Sequence, residues 1–243
     1  WKRRRSSNPP IRKILAIGLN FVLWSVHNDA TWGLKGEPVS NPLLTFNLNA
    51  FLKLYSMDTA RQIAEIGRRM QNDGSGYDYY KNFSAAVRAY ASKKSTDEIS
   101  YILESASRPD EVSYNKAAFE SFKKRYGGRK TLENFEKIGR LKLAKGALEI
   151  RSTPLISFEA SGVLSVVHFW CSQNPPMDKS KANIACYILQ KSFAKSAPNF
   201  KYCLFDTVKC RQYSGTDNTA SQAVEATAQL LVHFAKSSKW EKH

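Results

Sequence analysis

The sequence lacks the motifs that mark the commonest nucleotide-binding and hydrolytic enzymes. It contains no phosphate-binding glycine-rich loop, no Gly-x-Ser-x-Gly turn, no His-Glu-x-x-His pair and no EF-hand loop. It also lacks an internal repeat and a low-complexity segment. These absences argue against the commonest nucleotide-binding and hydrolase classes.

Cysteine is scarce, and its spacing excludes the usual metal motifs. The four cysteines are Cys171, Cys186, Cys203 and Cys210, and no two of them form a Cys-x-x-Cys pair. A zinc ribbon or a redox motif is therefore not expected. We expect buried free thiols in a reducing compartment, and no bound metal or other cofactor.

Acidic residues are few relative to basic ones. The chain has 37 Lys and Arg against 21 Asp and Glu, a net charge of +16. Such an excess is self-repelling unless a polyanion neutralises it, so we expect DNA or RNA as a partner. The alternative is a solvated basic protein without such a partner. The candidate nucleic-acid-binding residues are Arg3, Arg4 and Arg5 in an N-terminal tail, Lys123, Lys124, Arg125, Arg129 and Lys130 around a helix end, and Lys179 and Lys181 in a basic helix.

Long apolar runs are also missing. The apolar stripe from Ile11 to Val26 is too short to span a bilayer. It follows a basic start, as in a secretory signal, but no small-residue cleavage site comes after it. We therefore expect a cytoplasmic protein without a membrane span.

The first half of the chain has helical periodicity. Helices are predicted over 47–55, 57–72, from Tyr77 through Tyr90, after the capping box Ser95-x-x-Glu98, and over 111–126. Tyr77, Tyr79 and Tyr80 could stack on unpaired bases, or they could be core aromatics.

The second half changes to alternating patterns. Residues 140–211 predict strand, strand, strand, helix and strand, with Ser161-Gly162 as a hairpin turn. The helix from Asp178 predicts a parallel crossover to a strand over 202–210. A last helix is predicted over 220–236. The fold class is therefore α+β, with a basic tail at 1–7, a helical region at 8–130 and an α/β region at 131–243, or with all of these in one compact domain.

A further helix predicted over 131–137 makes the order of elements similar to the core of the PD-(D/E)XK nuclease superfamily. The resemblance implies an acidic residue on the second core strand and an acidic-x-Lys triplet on the third, which together hold a divalent metal and the attacking water. Glu159 stands at the first position. On the third strand Val166-Val167-His168 replaces the triplet; His168 could replace the Lys, but no carboxylate is present there.

Two other carboxylates are candidates for such a site. Glu149-Ile150-Arg151 has an acidic-x-basic pattern, although it lies on the first predicted strand. Asp206 follows a buried run and could lie at a strand edge where ligands gather, or it could pair with Lys209 or Arg211 on the surface.

Three functions follow as hypotheses. The first is a nucleic-acid-binding protein without intact catalytic machinery. The second is a divergent metal-dependent nuclease that uses Glu159 with Glu149 or Asp206, and only this one requires Mg²⁺ or Mn²⁺. The third is a protein-interaction or structural protein whose basic surface is incidental.

Overall fold

The computed structural model describes residues 41–71 and 78–237. The predicted basic tail with Arg3, Arg4 and Arg5, the apolar stripe that follows it, and Tyr77 lie outside the described residues.

Seven α-helices lie within these ranges, and they match the predicted positions. Several of them begin at side-chain caps: Asn47 Oδ1 accepts from Ala50 N–H, Ser95 Oγ accepts from Glu98 N–H, and Asp178 Oδ1 accepts from Lys181 N–H. The helices are α1 (Leu48–Tyr55), α2 (Thr59–Gln71), α3 (Lys81–Ala91), α4 (Thr96–Glu104), α5 (Pro109–Tyr126), α6 (Lys179–Phe193) and α7 (Ala220–Ser237).

The strands form two mixed sheets. The smaller sheet has the order β1-β4-β3, and the larger sheet has the order β2-β5-β6-β7-β8. The strands are β1 (Leu44–Asn47), β2 (Glu133–Asn134), β3 (Gly139–Leu143), β4 (Leu148–Ser152), β5 (Ile156–Ala160), β6 (Val163–Trp170), β7 (Lys201–Asp206) and β8 (Arg211–Ser214). The α+β class is confirmed, with a helical first half, a mixed α/β second half and a C-terminal helix.

The connections around β6 agree with the sequence. Strands β5 and β6 pair antiparallel through Ser161 and Gly162, both of which have positive φ. Strands β6 and β7 pair parallel, with α6 as the crossover between them.

The first predicted strand is wrong in detail. Residues 139–152 form a hairpin of two strands, β3 and β4, joined by a short turn in which Ala144 and Lys145 have positive φ. This hairpin belongs to the smaller sheet, where β1 pairs parallel with β4. It does not continue into the larger sheet as the nuclease-like order requires.

The helix predicted over 131–137 is also wrong. Glu133 and Asn134 form β2 at the edge of the larger sheet, opposite Ser157 and Ile156. Phe135 N–H donates to the carbonyl of Leu155, which continues the extended pairing. The sheet edge thus takes the backbone bonds that a helix would have made internally.

The strand predicted over 202–210 ends at Asp206. Asp206 Oδ1 accepts from the N–H groups of Val208 and Lys209, and the chain reverses into β8. Cys210 lies in this turn at φ 48°, so it does not share a strand with Cys203. All four cysteines are free thiols, three of them buried.

The larger sheet is covered on both faces. Val167, Phe169 and Phe205 face a core built with α3, α4 and α5. Val166, Trp170 and Leu204 face a second core built with α1, α2, α6, α7 and the smaller sheet. Elements from before and after residue 130 therefore share both cores. No helix among the described residues is both long and apolar enough to cross a membrane.

Candidate functional site

The turn between α3 and α4 exposes two lysines. Lys93 N–H donates to Tyr90 O and Lys94 N–H donates to Ala89 O, so the chain reverses immediately after α3. Lys93 has φ 59°, the left-handed conformation that ends helices. Ser95 then caps α4, which leaves both lysine side chains exposed at the turn.

The end of α5 lies beside this turn. Tyr90 Oη donates to the carbonyl of Gly127 at 2.9 Å, joining the end of α3 to the end of α5. A Cβ at Gly127 would come within 2.6 Å of Lys123 O, so the close approach requires glycine. After it, Arg129 stacks its guanidinium over the ring of Phe158 at 4.7 Å.

These elements enclose a cavity of about 610 Å³, which we call the basic groove. Its lining contains five basic side chains and one acidic side chain, Glu120. The basic side chains form the rim: Lys93, Lys94, Lys123, Arg129 and Lys130. The apolar side chains form the floor: Tyr90, Ala91, Ile99, Leu103, Phe119 and Leu132.

The rim charges are mostly uncompensated. Lys94 lies 3.3 Å from Glu98 and Lys123 lies 3.5 Å from Glu120, but all four side chains are about half exposed or more, where ion pairs contribute little. Lys93, Arg129 and Lys130 make no ion pair with any residue of the described ranges. The groove therefore presents concentrated positive charge to an anionic ligand.

The other predicted basic residues lie elsewhere. Lys124 and Arg125 are exposed on the last turn of α5 but do not line the groove. Lys179 is exposed on α6, which packs on the opposite face of the larger sheet. Lys181 is only 8% exposed and is paired with Asp178, so it presents no charge to solution.

The carboxylates of the nuclease hypothesis are far apart. Glu159 is exposed on β5 and pairs with Leu164 of β6, whereas Asp206 on β7 pairs with Trp170. Leu164 and Trp170 are six positions apart on β6, a distance of about 20 Å along the strand. Glu159 and Asp206 cannot bind one metal ion together.

Glu149 lies in the smaller sheet, between two arginines. Its Oε1 accepts from Arg151 Nε at 2.7 Å and from Arg140 Nη1 at 3.2 Å, and the bond from Arg151 is the main reason that its pKa is lowered. This is a satisfied carboxylate. Within residues 41–71 and 78–237, no group of three or more His, Cys, Asp or Glu is arranged to hold a metal ion.

Asp206 is buried at the end of β7. Its Oδ1 is used by the turn to β8, its Oδ2 has no hydrogen-bond partner among the described residues, and burial raises its pKa. The predicted surface ion pair is not formed: Lys209 Nζ donates instead to the carbonyl of Met177 at 2.6 Å.

His168 lines a different cavity of about 530 Å³, which we call the His168 cavity. The charged side chains around it are balanced: Lys53, Arg69, Glu65 and Asp78. Glu65 accepts hydrogen bonds from Arg69 and from Arg68 beside it, so most of this charge is already neutralised.

The histidine itself is fixed and neutral. Asn49 Nδ2 donates to Phe169 O at 3.2 Å, which orients its Oδ1 as the acceptor of the 3.0 Å bond from His168 Nε2. Burial lowers the pKa of His168 to about 4. Tyr79 and Tyr80 line the same cavity, half-buried, and Tyr79 Oη donates to Asp110, so both are packed against protein groups.

The sequence analysis did not identify Lys93 and Lys94 as candidate site residues. Their signal was local, a Lys-Lys pair directly before the cap residue Ser95. Their proximity to Arg129 and Lys130 depends on the packing of α3 against α5, which the sequence pattern does not indicate.

Comparisons with known proteins add little to this picture. No family model matches the chain, and no curated protein matches it. Solved structures do match, among them the crystal structure of SSO0001, which is 11% identical, with 76% of this chain and 90% of that chain covered and a TM-score of 0.34. A similarity of that size carries no argument about function, so the groove must be interpreted from its own geometry.

Proposed function

We propose that the protein binds nucleic acid through the basic groove. The observation that carries the proposal is the excess of five cations over one carboxylate around a single concave site. Phosphate groups neutralised by Lys and Arg release condensed counterions, which drives binding of polyanions. Within the part of the chain that the structure describes, no carboxylate forms an ion pair with Lys93, Arg129 or Lys130 at the rim.

The flexible lysines and the stacked arginine have different roles in this site. Lys93 and Lys130 are exposed point charges that can follow a phosphate backbone. Arg129 is half-buried and held over Phe158, so its guanidinium is preorganised to donate two hydrogen bonds to one phosphate.

The test is a fluorescence-anisotropy titration with labelled single-stranded and duplex DNA and RNA at several salt concentrations. The variant Lys93→Glu/Lys130→Glu is compared with Lys201→Glu/Lys236→Glu. The control residues are also exposed lysines without ion pairs in the described ranges, and they line neither cavity. Both double variants change the net charge equally.

We expect affinity that falls steeply with salt in the unaltered protein. The groove variant should lower the slope of log affinity against log salt by about 1.4 to 1.8, because each lost phosphate contact contributes about 0.7 to 0.9. The control variant should keep a slope near that of the unaltered protein. A flat salt response, or equal losses in both variants, would contradict the proposal.

A further inference from the structure

Most of the apolar side chains on the floor of the basic groove are nearly buried, but each keeps a small part of its surface open to the cavity. Ala91, Ile99, Leu103, Phe119 and Leu132 line the cavity and keep between 4% and 9% of their surface exposed. By contrast Val87 and Phe122, in the same core but away from the cavity, are 0% exposed. The groove therefore offers an apolar contact as well as a charged one.

A phosphate group can form favourable contacts only with the cations at the rim of such a site. A ligand that satisfies both parts has an apolar, flat group attached to an anionic backbone. Tyr90 and Phe119 contribute rings at 6.1 Å centroid separation to the floor, and every nucleobase has a π-face that can pack against such side chains.

Duplex nucleic acid cannot reach the floor with its bases. They are stacked and paired inside the helix, so only its phosphates would contact the rim. In a single strand the bases are free to unstack and to enter a protein pocket. The cavity of about 610 Å³ is within the range typical of pockets for small organic molecules.

We propose that the groove binds single-stranded nucleic acid, with one unstacked base on the apolar floor and the flanking phosphates at the rim. The inference rests on the proposed function and adds the class of strand and the group that is recognised.

The experiment compares three labelled probes of equal length in the anisotropy assay: an intact single strand, the same strand with abasic residues at its central positions, and a duplex. The abasic strand has the same phosphate charge, so its affinity measures the electrostatic part alone. We expect the intact strand to bind about tenfold more tightly than the abasic strand, since stacking of one base accounts for about a five- to 150-fold change in affinity.

The duplex sharpens the comparison. A site that recognises only charge would bind the duplex more tightly than the single strand, because the phosphate density of the duplex is higher. A site that accepts a base should bind the intact single strand more tightly than the duplex at the same salt concentration.

A cavity-filling variant locates the base. Ser100 is exposed on α4 and lines the groove, and Ser113 is exposed on α5 and lines neither cavity. Ser100→Leu should reduce the affinity for the intact strand to that of the abasic strand and leave the salt slope unchanged. Ser113→Leu should behave as the unaltered protein, which controls for the added apolar side chain.

The outcomes separate the two proposals. Salt-dependent binding that is equal for intact and abasic strands, or that is strongest for duplex, overturns the base-insertion proposal and leaves nucleic-acid binding intact. Absence of salt-dependent binding to every probe overturns both.

Discussion

The two cavities lie at opposite ends of α3 and differ in their charge. The end of α3 contributes Tyr90 and Ala91 to the basic groove, and its start contributes Phe83 and Ser84 to the His168 cavity. The groove has five basic side chains and one acidic, whereas the His168 cavity has two of each. Of these two cavities, only the basic groove therefore has an excess of positive charge.

The difference teaches that the pairing of the cations, as well as their number, distinguishes the two sites. At the His168 cavity Glu65 accepts hydrogen bonds from Arg69 and from Arg68 beside it, and these bonds lower the pKa of Glu65. In the groove three cations have no carboxylate partner in the described ranges. A helix C-terminus favours cations through its dipole, which contributes at Lys123 near the end of α5 and at Lys93 and Lys94 just after α3, but not at Lys130.

The largest expected effect comes from loosening α3, the helix that both cavities share, by removing the contact that Asn115 of α5 makes with its start. Asn115 is fully buried; its Oδ1 accepts from Phe83 N–H at 2.6 Å, and its Nδ2 donates to Tyr79 O and Glu111 O. Asn115→Ala leaves buried backbone groups without this partner and should lower the free energy of unfolding by about 3 kcal/mol. Urea denaturation measures this loss, and Ser113→Ala is an exposed control on α5, the helix that carries Asn115. A loss below about 0.5 kcal/mol in Asn115→Ala would contradict the stabilising role of these hydrogen bonds.

A pH change should affect the His168 cavity, since no histidine lines the groove. Burial lowers the pKa of His168 to about 4 from an ordinary value of 6.5. Between these values the unfolded chain binds a proton that the folded chain does not, so the unfolding free energy falls as the pH drops. We expect a loss of about 2 kcal/mol between pH 7 and pH 5.

The variant His168→Gln isolates this contribution. Denaturation of both proteins at both pH values should show a smaller pH-dependent loss in the variant by about the same 2 kcal/mol. Equal losses in the two proteins would mean that other groups dominate the response.

Single charge reversals compare the cavities directly. Lys93→Glu in the groove should weaken binding of a single strand at low salt by about tenfold, because one phosphate contact is replaced by repulsion. Lys53→Glu, an exposed lysine at the His168 cavity, should change affinity less than about twofold since that cavity is charge-balanced. Equal effects in anisotropy titrations would show that binding follows net charge and not the groove.

The smallest effect is expected at the wall of the groove. Ser95→Ala removes the cap of α4, whose Oγ accepts from Glu98 N–H, and should cost about 1 kcal/mol of stability. The affinity for nucleic acid should stay within about twofold because no rim cation is removed. A large loss of affinity with unchanged stability would indicate that Ser95 itself contacts the ligand.

The helices were predicted well because their signals are local. Ser95 and Asn47 cap the turns that follow them, and the apolar periodicity of α5 and α6 is contained within each segment. The hairpin at Ser161-Gly162 was equally visible, because its turn chemistry lies between two alternating runs.

The strands that pair over long distances were predicted poorly. β1 alternates apolar and polar residues over only four positions, which is too short for a clear signal, and its parallel partner β4 lies about a hundred residues away in the chain. Leu132 and Phe135 have a helix-like spacing of three, yet both are buried along an extended segment because the edge of β5 supplies backbone partners. Pairing of this kind overrides local propensity.

The candidate site was predicted only in part. Lys123, Arg129 and Lys130 were expected from their density in the sequence, and they do lie together at the groove. Lys181 was also expected from a basic segment, but its position on α6 turns it into the protein, where it pairs with Asp178. The density of basic residues along the sequence does not show whether a lysine is exposed at a groove or buried in an ion pair.

By itself the sequence determined the excess of positive charge, the order of most helices and strands, and the α+β class, because each depends on composition or on periodicity within a few turns. Only the tertiary structure decided that Lys93 and Lys94 join Arg129 and Lys130 around an apolar floor, and that Glu159 and Asp206 lie at different ends of β6. The physical reason is that a site is assembled from residues brought together by packing and strand register, and neither of these is encoded in the spacing of its members along the chain.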